Sequence, residues 1–217
     1  ITDYAIRGAI WYQGEANVGR AAQYEKLFPA MINNWRSTWT AGHFPFYFVQ
    51  LEPYNYGGYG MSSAALRDTQ RKTLSISNTG MVVTLDIGNN NNIHPANKEE
   101  VGRRLSLWAL AKIYDEKNVV YSGPLYKSKE VKGNKIILSF DHTDGGLIIK
   151  DGATSGFEIA GEDGKFVPAK SEIKGDKVII YSDKINNPMA ARYDWSDTAA
   201  AHLFNKANLP ASSFSTE

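Results

Sequence analysis

Three short apolar runs alternate with three amphipathic stretches over the first 115 residues, and beyond that point the alternation stops. Ala5 to Tyr12, Phe46 to Leu51 (FYFVQL) and Met81 to Asp86 (MVVTLD) read as strands, because each is short, apolar and bounded by turn formers. The near-continuous apolar character of Met81 to Asp86 suits a parallel strand covered on both faces. Between the runs, Tyr24, Leu27, Phe28, Met31, Ile32, Trp35 and Trp39 recur at the i, i+3, i+4 spacing of one helical face. Pro29 falls inside that pattern and is expected to kink or split the helix. Ser62 to Ser75 reads as a second helix, with Leu66, Thr69, Gln70 and Leu74 on related faces and Ser62 and Ser63 as N-caps. Asn97 opens a third, with Glu100 placed as in a capping box and an apolar stripe of Val101, Leu105, Trp108, Ala109 and Ile113. Strand and helix in alternation predict a parallel sheet in an α/β fold. Sheets of this kind usually carry about five strands. With only three visible, and an opening ITDYAIRGAIWYQGE that lacks an initiator Met, further sheet is expected upstream of Ile1.

From about residue 117 the texture is different. Val119 to Tyr121, Lys135 to Phe140 (KIILSF), Leu147 to Lys150 and Val178 to Tyr181 (VIIY) are short strand-like runs. Turn signals separate them, at Lys132-Gly133-Asn134, Asp144-Gly145-Gly146, Gly161 to Gly164 and Lys174-Gly175-Asp176. Short strands at this spacing predict a small β-sandwich-like module over residues 116–190. The tail, 191–217, is expected to pack back on the first part. Lys and Arg number 24 against 23 Asp and Glu, so no basic excess asks for nucleic acid. No apolar run approaches the ~20 residues of a membrane span. The chain has no cysteine, which excludes disulfides, thiolate metal sites and a Cys nucleophile. The histidines are far apart, and Asp86 with its four following-loop asparagines does not match calcium-loop spacing, so no metal or cofactor is expected.

Two stretches carry chemistry. His94 lies in the polar loop after the third strand, just before a helix. Catalytic groups in open α/β sheets gather at the carboxyl ends of the strands, and histidine is the side chain suited to general-base work near neutrality. A surface or capping histidine is the alternative. The second stretch is Trp11 to Asn17 (WYQGEAN), at the end of the first strand. There the amides of Gln13 and Asn17 can donate to a developing oxyanion, and Glu15 can orient a histidine or bind a sugar hydroxyl. A polar strand-to-helix turn is the alternative. His43, His142 and His202 read as structural. No G-x-S-x-G motif is present, so no residue of this chain is assigned as a serine nucleophile.

WYQGEANVGRAAQYEKLFPAMINNWR, FPFYFVQLEPYNYGG, LRDTQRKTLSISNTGMVVTLDIG and NIHPANKEEVGRRL together closely resemble the sialate O-acetylesterases, members of the SGNH serine hydrolases. The tail ARYDWSDTAAAHLFNKANLPASSF is similar to their C-terminal segment, while residues from about 117 to 190 are weakly covered. The resemblance implies an α/β fold: part of a flavodoxin-like SGNH three-layer sheet, with residues 1–115 as the C-terminal part of the hydrolase domain. It implies a carbohydrate O-acetylesterase acting on sialic acid or a related acetylated glycan such as xylan. His94 would be the catalytic base, Gln13 the oxyanion donor in place of the Asn of other SGNH enzymes, and Glu15 the end of a QGE signature. The Ser nucleophile of such enzymes lies in a segment N-terminal to this one, which is thus an expected partner. Many SGNH enzymes carry an Asp three residues before the His; here Asn91 stands there, so Glu15 or Asp86 is expected to supply the carboxylate, or the site is a dyad. Tyr54, Tyr56 and Tyr59 are candidates to stack on a sugar, and Arg67 to meet a sugar carboxylate, with a structural salt bridge as its alternative. Relatives of this kind imply secretion or a periplasmic location. A non-catalytic carbohydrate-binding module is the reading from another class.

Overall fold

The computed structural model describes residues 2–57, 62–150 and 156–217. The first part holds three parallel strands, β1 (Ala9–Trp11), β2 (Phe46–Val49) and β3 (Thr79–Val82), in the order β1-β2-β3. Three helices connect and follow them: α1 (Ala21–Trp39), α2 (Ser62–Lys72) and α3 (Lys98–Lys112). Alternation along β2 and β3 sends side chains to opposite faces. Phe46, Phe48 and Met81 meet Tyr24, Phe28 and Ile32 of α1 and Leu66 of α2. On the other face Tyr47 and Val82 meet Trp108 of α3. Each of these large side chains contributes about 1.5–3 kcal/mol by leaving water. Pro29 lies within α1 without ending it: it forfeits the bond to the Glu25 carbonyl, and burial of Tyr24, Phe28 and Ile32 against the sheet offsets that loss.

Asn97 caps α3 as expected, its side chain accepting from the Glu100 N–H. The reciprocal half of a capping box is absent, since the Glu100 carboxylate turns to Arg103 and Arg104. The expectation for Ser63 fails. It lies inside α2, and the cap comes from a remote residue: Asp197 Oδ1 accepts from both the N–H and the hydroxyl of Ser63.

The second part contains β4 (Leu125–Lys132), β5 (Lys135–Asp141), β6 (Leu147–Ile149), β7 (Phe157–Ala160), β8 (Val167–Pro168), β9 (Lys170–Lys174), β10 (Lys177–Tyr181), β11 (Ala190–Tyr193), β12 (Leu203–Asn205) and β13 (Phe214–Ser215). Two four-stranded sheets, β4-β5-β10-β9 and β13-β11-β7-β8, share one core in which Ile136, Leu138, Val178 and Ile180 face Phe157, Ile159, Tyr193 and Phe214. β6 and β12 pair separately. The tail therefore does more than pack back: β11, β12 and β13 complete this module, while Ala199 joins the core of the first part. Val119 to Tyr121 is not a strand. Its apolar character serves α3 instead, with Tyr121 lying 4.6 Å from Trp108. β4 is unmarked by periodicity because LYKSKEVK is an exposed edge strand whose lysines discourage further pairing.

Gly80 shows how closely α3 approaches the sheet. A Cβ there would meet Trp108 at 2.5 Å and Tyr47 at 2.8 Å. Gly80→Ala is expected to lower unfolding stability by about 1–3 kcal/mol, read as a shift in the urea midpoint.

Candidate active site

The three parallel strands end on one edge, and their following loops bring the candidate residues together there. Tyr12, Gln13, Glu15 and Ala16 follow β1, Ile93 and His94 precede α3, and Lys98 begins it; they line one cleft of about 450 Å³. Local geometry fixes each side of it. Gly14 adopts φ +156°, a conformation that favours glycine, and a Cβ there would press on Gln70 and Leu51 at 3.3 Å. The following 3₁₀ turn, Glu15–Asn17, lets Asn17 Oδ1 accept from Gln13 Nε2 at 2.9 Å. The Gln13 amide has two N–H donors, so one remains for a ligand. The Tyr24 hydroxyl lies 3.4 Å from Gln13 Oε1, and burial pushes it up to about 12. Glu15 Oε2 accepts from the Gly14 N–H at 2.9 Å.

On the opposite side, two Asn turns shape the loop before α3. Asn89 Oδ1 accepts from the Asn91 N–H and Asn92 Oδ1 from the His94 N–H, both at 2.9 Å. His94 is exposed, and among the described residues its ring has no hydrogen-bond partner. Asp86, expected as a possible partner for it, is committed elsewhere: its two oxygens accept from Arg104 at 2.7 and 2.6 Å. Arg104 also donates to the Val83 carbonyl and to Glu100, so it ties the end of β3 to α3. Asn91 is exposed, and its backbone N–H is bound to Asn89 while that of His94 is bound to Asn92. Glu15 is the carboxylate that shares the cleft with His94.

Arg67 does not reach this cleft. It is wholly buried, and its guanidinium donates to the hydroxyls of Ser63 and Ser213 and to the carbonyls of Asp194 and Ser196. Burial lowers it to about 10, which still leaves it a cation near neutrality. Its role is that of a buried strut, and the expectation of a sugar-carboxylate contact is set aside. Tyr54 and Tyr56 meet edge-to-face at 5.0 Å. Burial, with the charges of Glu15 and Glu52, pushes the Tyr56 phenol up, which puts Tyr56 in the electrostatic reach of the cleft. Tyr59 lies outside the described residues. Two features went unmarked by the sequence pattern. Glu52, three residues past β2, is only 2% exposed and accepts from the Tyr12 hydroxyl; Lys98 lies over the Tyr12 ring at 4.5 Å. The available signal was a carboxylate three residues after a fully apolar strand. Among the described residues no group of three or more metal-ligating side chains comes together, and no helix is long and apolar enough to cross a membrane.

The family model for carbohydrate esterases described as sialic acid-specific acetylesterases matches residues 1–110. The chain belongs to this family. Two curated members that it resembles are the sialate O-acetylesterases of Rattus norvegicus, 30% identical over 220 residues, and Homo sapiens, 30% identical over 161. These alignments cover 90% and 65% of the chain but 40% and 31% of those proteins. A carbohydrate acetylesterase structure from Xanthomonas citri is 42% identical, with a TM-score of 0.94 over 100% of this chain and 51% of that one. The chain thus spans about half the length of the solved family member or less than half of the curated ones.

Arg103 and Arg104 hold the Glu100 carboxyl down at about 2, from an ordinary 4.5. A carboxylate lowered on folding stabilises above its unfolded value and loses that contribution as pH falls towards the folded one. Unfolding stability is therefore expected to drop between about pH 4.5 and 2. Glu100→Gln should flatten that part of the profile, measured as denaturation midpoint against pH.

Proposed function

We propose that these residues form part of a carbohydrate O-acetylesterase that removes acetyl groups from sialic acid or a related glycan, and that they supply its general base and one oxyanion donor. The observation that carries this reading is the meeting of His94 and Gln13 in one cleft at the carboxyl edge of a parallel sheet. The names of the curated relatives and of the Xanthomonas citri structure point to the same chemistry. Helices on both faces of the sheet agree with an SGNH-type, flavodoxin-like arrangement of which this chain holds part.

In this proposal the nucleophile is a serine from an N-terminal segment outside these residues. Its Oγ attacks the acetyl carbonyl carbon while His94 takes the hydroxyl proton. Gln13 Nε2, aligned by Asn17, donates to the oxygen that becomes negative. When the tetrahedral centre collapses, the bond to the sugar oxygen breaks and His94 returns the proton to that oxygen. Water then attacks the acyl-serine, gives its proton to His94, and acetate leaves as the serine recovers its proton. Glu15 is the carboxylate available to support the imidazolium from within the cleft. Secretion or a periplasmic location fits an enzyme working on glycans.

In the full-length protein, His94→Ala is expected to lower kcat on p-nitrophenyl acetate by at least about 10³-fold. Gln13→Ala should cost about 10²–10³-fold, mainly in kcat. Retention of near-normal turnover by His94→Ala would overturn the reading.

A further inference from the structure

With Arg67 in the interior, the cleft contains another cation that faces the candidate catalytic groups. We propose that Lys98 is the residue that recognises the carboxylate of an acidic sugar ester, held in place by Tyr12 and Glu52. The proposal rests on the esterase reading above and adds to it the residue that meets the carboxylate of the substrate.

Lys98 lines the same cleft as His94, Gln13 and Glu15. It is the first residue of α3, directly after the Asn97 cap. Helix energetics do not favour a lysine there, since the positive end of the macrodipole disfavours a cation. The neighbouring charges of α3 do not hold it either: Glu100 is taken by Arg103 and Arg104. Glu15 shares the cleft, with one oxygen bound to the Gly14 N–H. What holds Lys98 is Tyr12. The ammonium lies 4.5 Å over the ring and 3.5 Å from the hydroxyl, an arrangement in which the ring face attracts the cation.

Tyr12 is itself braced from below. Its hydroxyl donates to Glu52, whose other oxygen, Oε1, is buried without a hydrogen-bond partner among the described residues. Burial raises the Glu52 carboxyl, and the nearby charge of Lys98 opposes that rise. A buried carboxyl group thus lies beyond the phenol oxygen, within electrostatic reach of the ammonium that rests over the ring. An exposed lysine normally loses rotamer freedom on binding an anion. Here that freedom is already restricted, and the ammonium has three donors, of which Tyr12 engages one side. The remaining directions open on the cleft beside His94.

The test separates binding from turnover. Full-length protein carrying His94→Ala is titrated calorimetrically with free sialic acid and with its methyl ester, which differ in the charge Lys98 would meet and by one methyl group whose effect the Lys98→Gln protein measures. The free acid is expected to bind about fivefold more tightly at low salt, and added salt should narrow the difference. Lys98→Gln should abolish that preference and Lys98→Arg should restore most of it. Equal affinity for acid and ester while Lys98 is present, or a preference that survives Lys98→Gln, overturns the assignment. Absence of esterase turnover in the full-length protein with His94 intact would count against the esterase reading instead, and the acid-to-ester ratio would still decide the role of Lys98.

Discussion

The wholly buried guanidinium of Arg67 organises the contact between the α/β part and the β module. Removing a cation from water is costly unless its donors are met and its charge is balanced. Arg67 is answered on both counts by residues 194–213: carbonyls of Asp194 and Ser196, the Ser213 hydroxyl, and the nearby charges of Asp194 and Asp197. Gln50, at the end of β2, extends the seam by donating to the Arg67 carbonyl and the Ser212 hydroxyl. The seam has no slack, because moving the tail away would strand a buried charge rather than merely expose apolar surface.

The candidate site inherits its rigidity from this seam. Asp197, which caps α2 through Ser63, also accepts from the Tyr54 N–H through its backbone carbonyl, so it anchors the aromatic loop after β2. Two turns of α2 further on, Gln70 accepts from the Leu51 N–H and lies 3.4 Å from the Gln13 carbonyl. The backbone beneath Gln13 is thus supported by a helix whose start is capped by the tail. On the far side of the cleft, Arg104 does similar work by joining the Val83 carbonyl, Asp86 and Glu100. The two walls are held by separate guanidinium networks, one wholly buried and one buried but with carboxylate partners that reach the surface.

Much of this was legible in the sequence. Strand-helix alternation located all three parallel strands and all three helices, because burial on both sheet faces leaves a strong periodic trace in Phe46 to Leu51 and along Tyr24 to Trp39. His94 and Gln13 were legible from their position after strands, and the resemblance quoted for the motifs agrees with the family match. What was not legible depends on contacts between distant residues. An arginine in LRDTQRK looks like a helix-surface residue, and nothing local says that Ser213 and Asp194 will enclose it. Asp86 looked free because its partner, Arg104, stands 18 residues away. Tyr12 and Glu52 follow two different strands and Lys98 opens a helix, so their meeting is invisible to any sequence window. Short strands such as Val167–Pro168 and Phe214–Ser215 leave too few residues for a period to show.

The seam also sets an order of events. Ser63, Arg67 and Gln50 meet their tail partners across 134, 146 and 162 residues of sequence. Contacts this distant close late, since a long loop must first be brought together. While a ribosome is still making the β module, α2 has no N-terminal cap and Arg67 still needs its solvent shell. The carboxyl edge of the parallel sheet can reach its final shape only after residues 194–213 have arrived. For this protein, then, assembly of the cleft is among the last steps of folding, although Gln13 and His94 are synthesised well before residues 194–213.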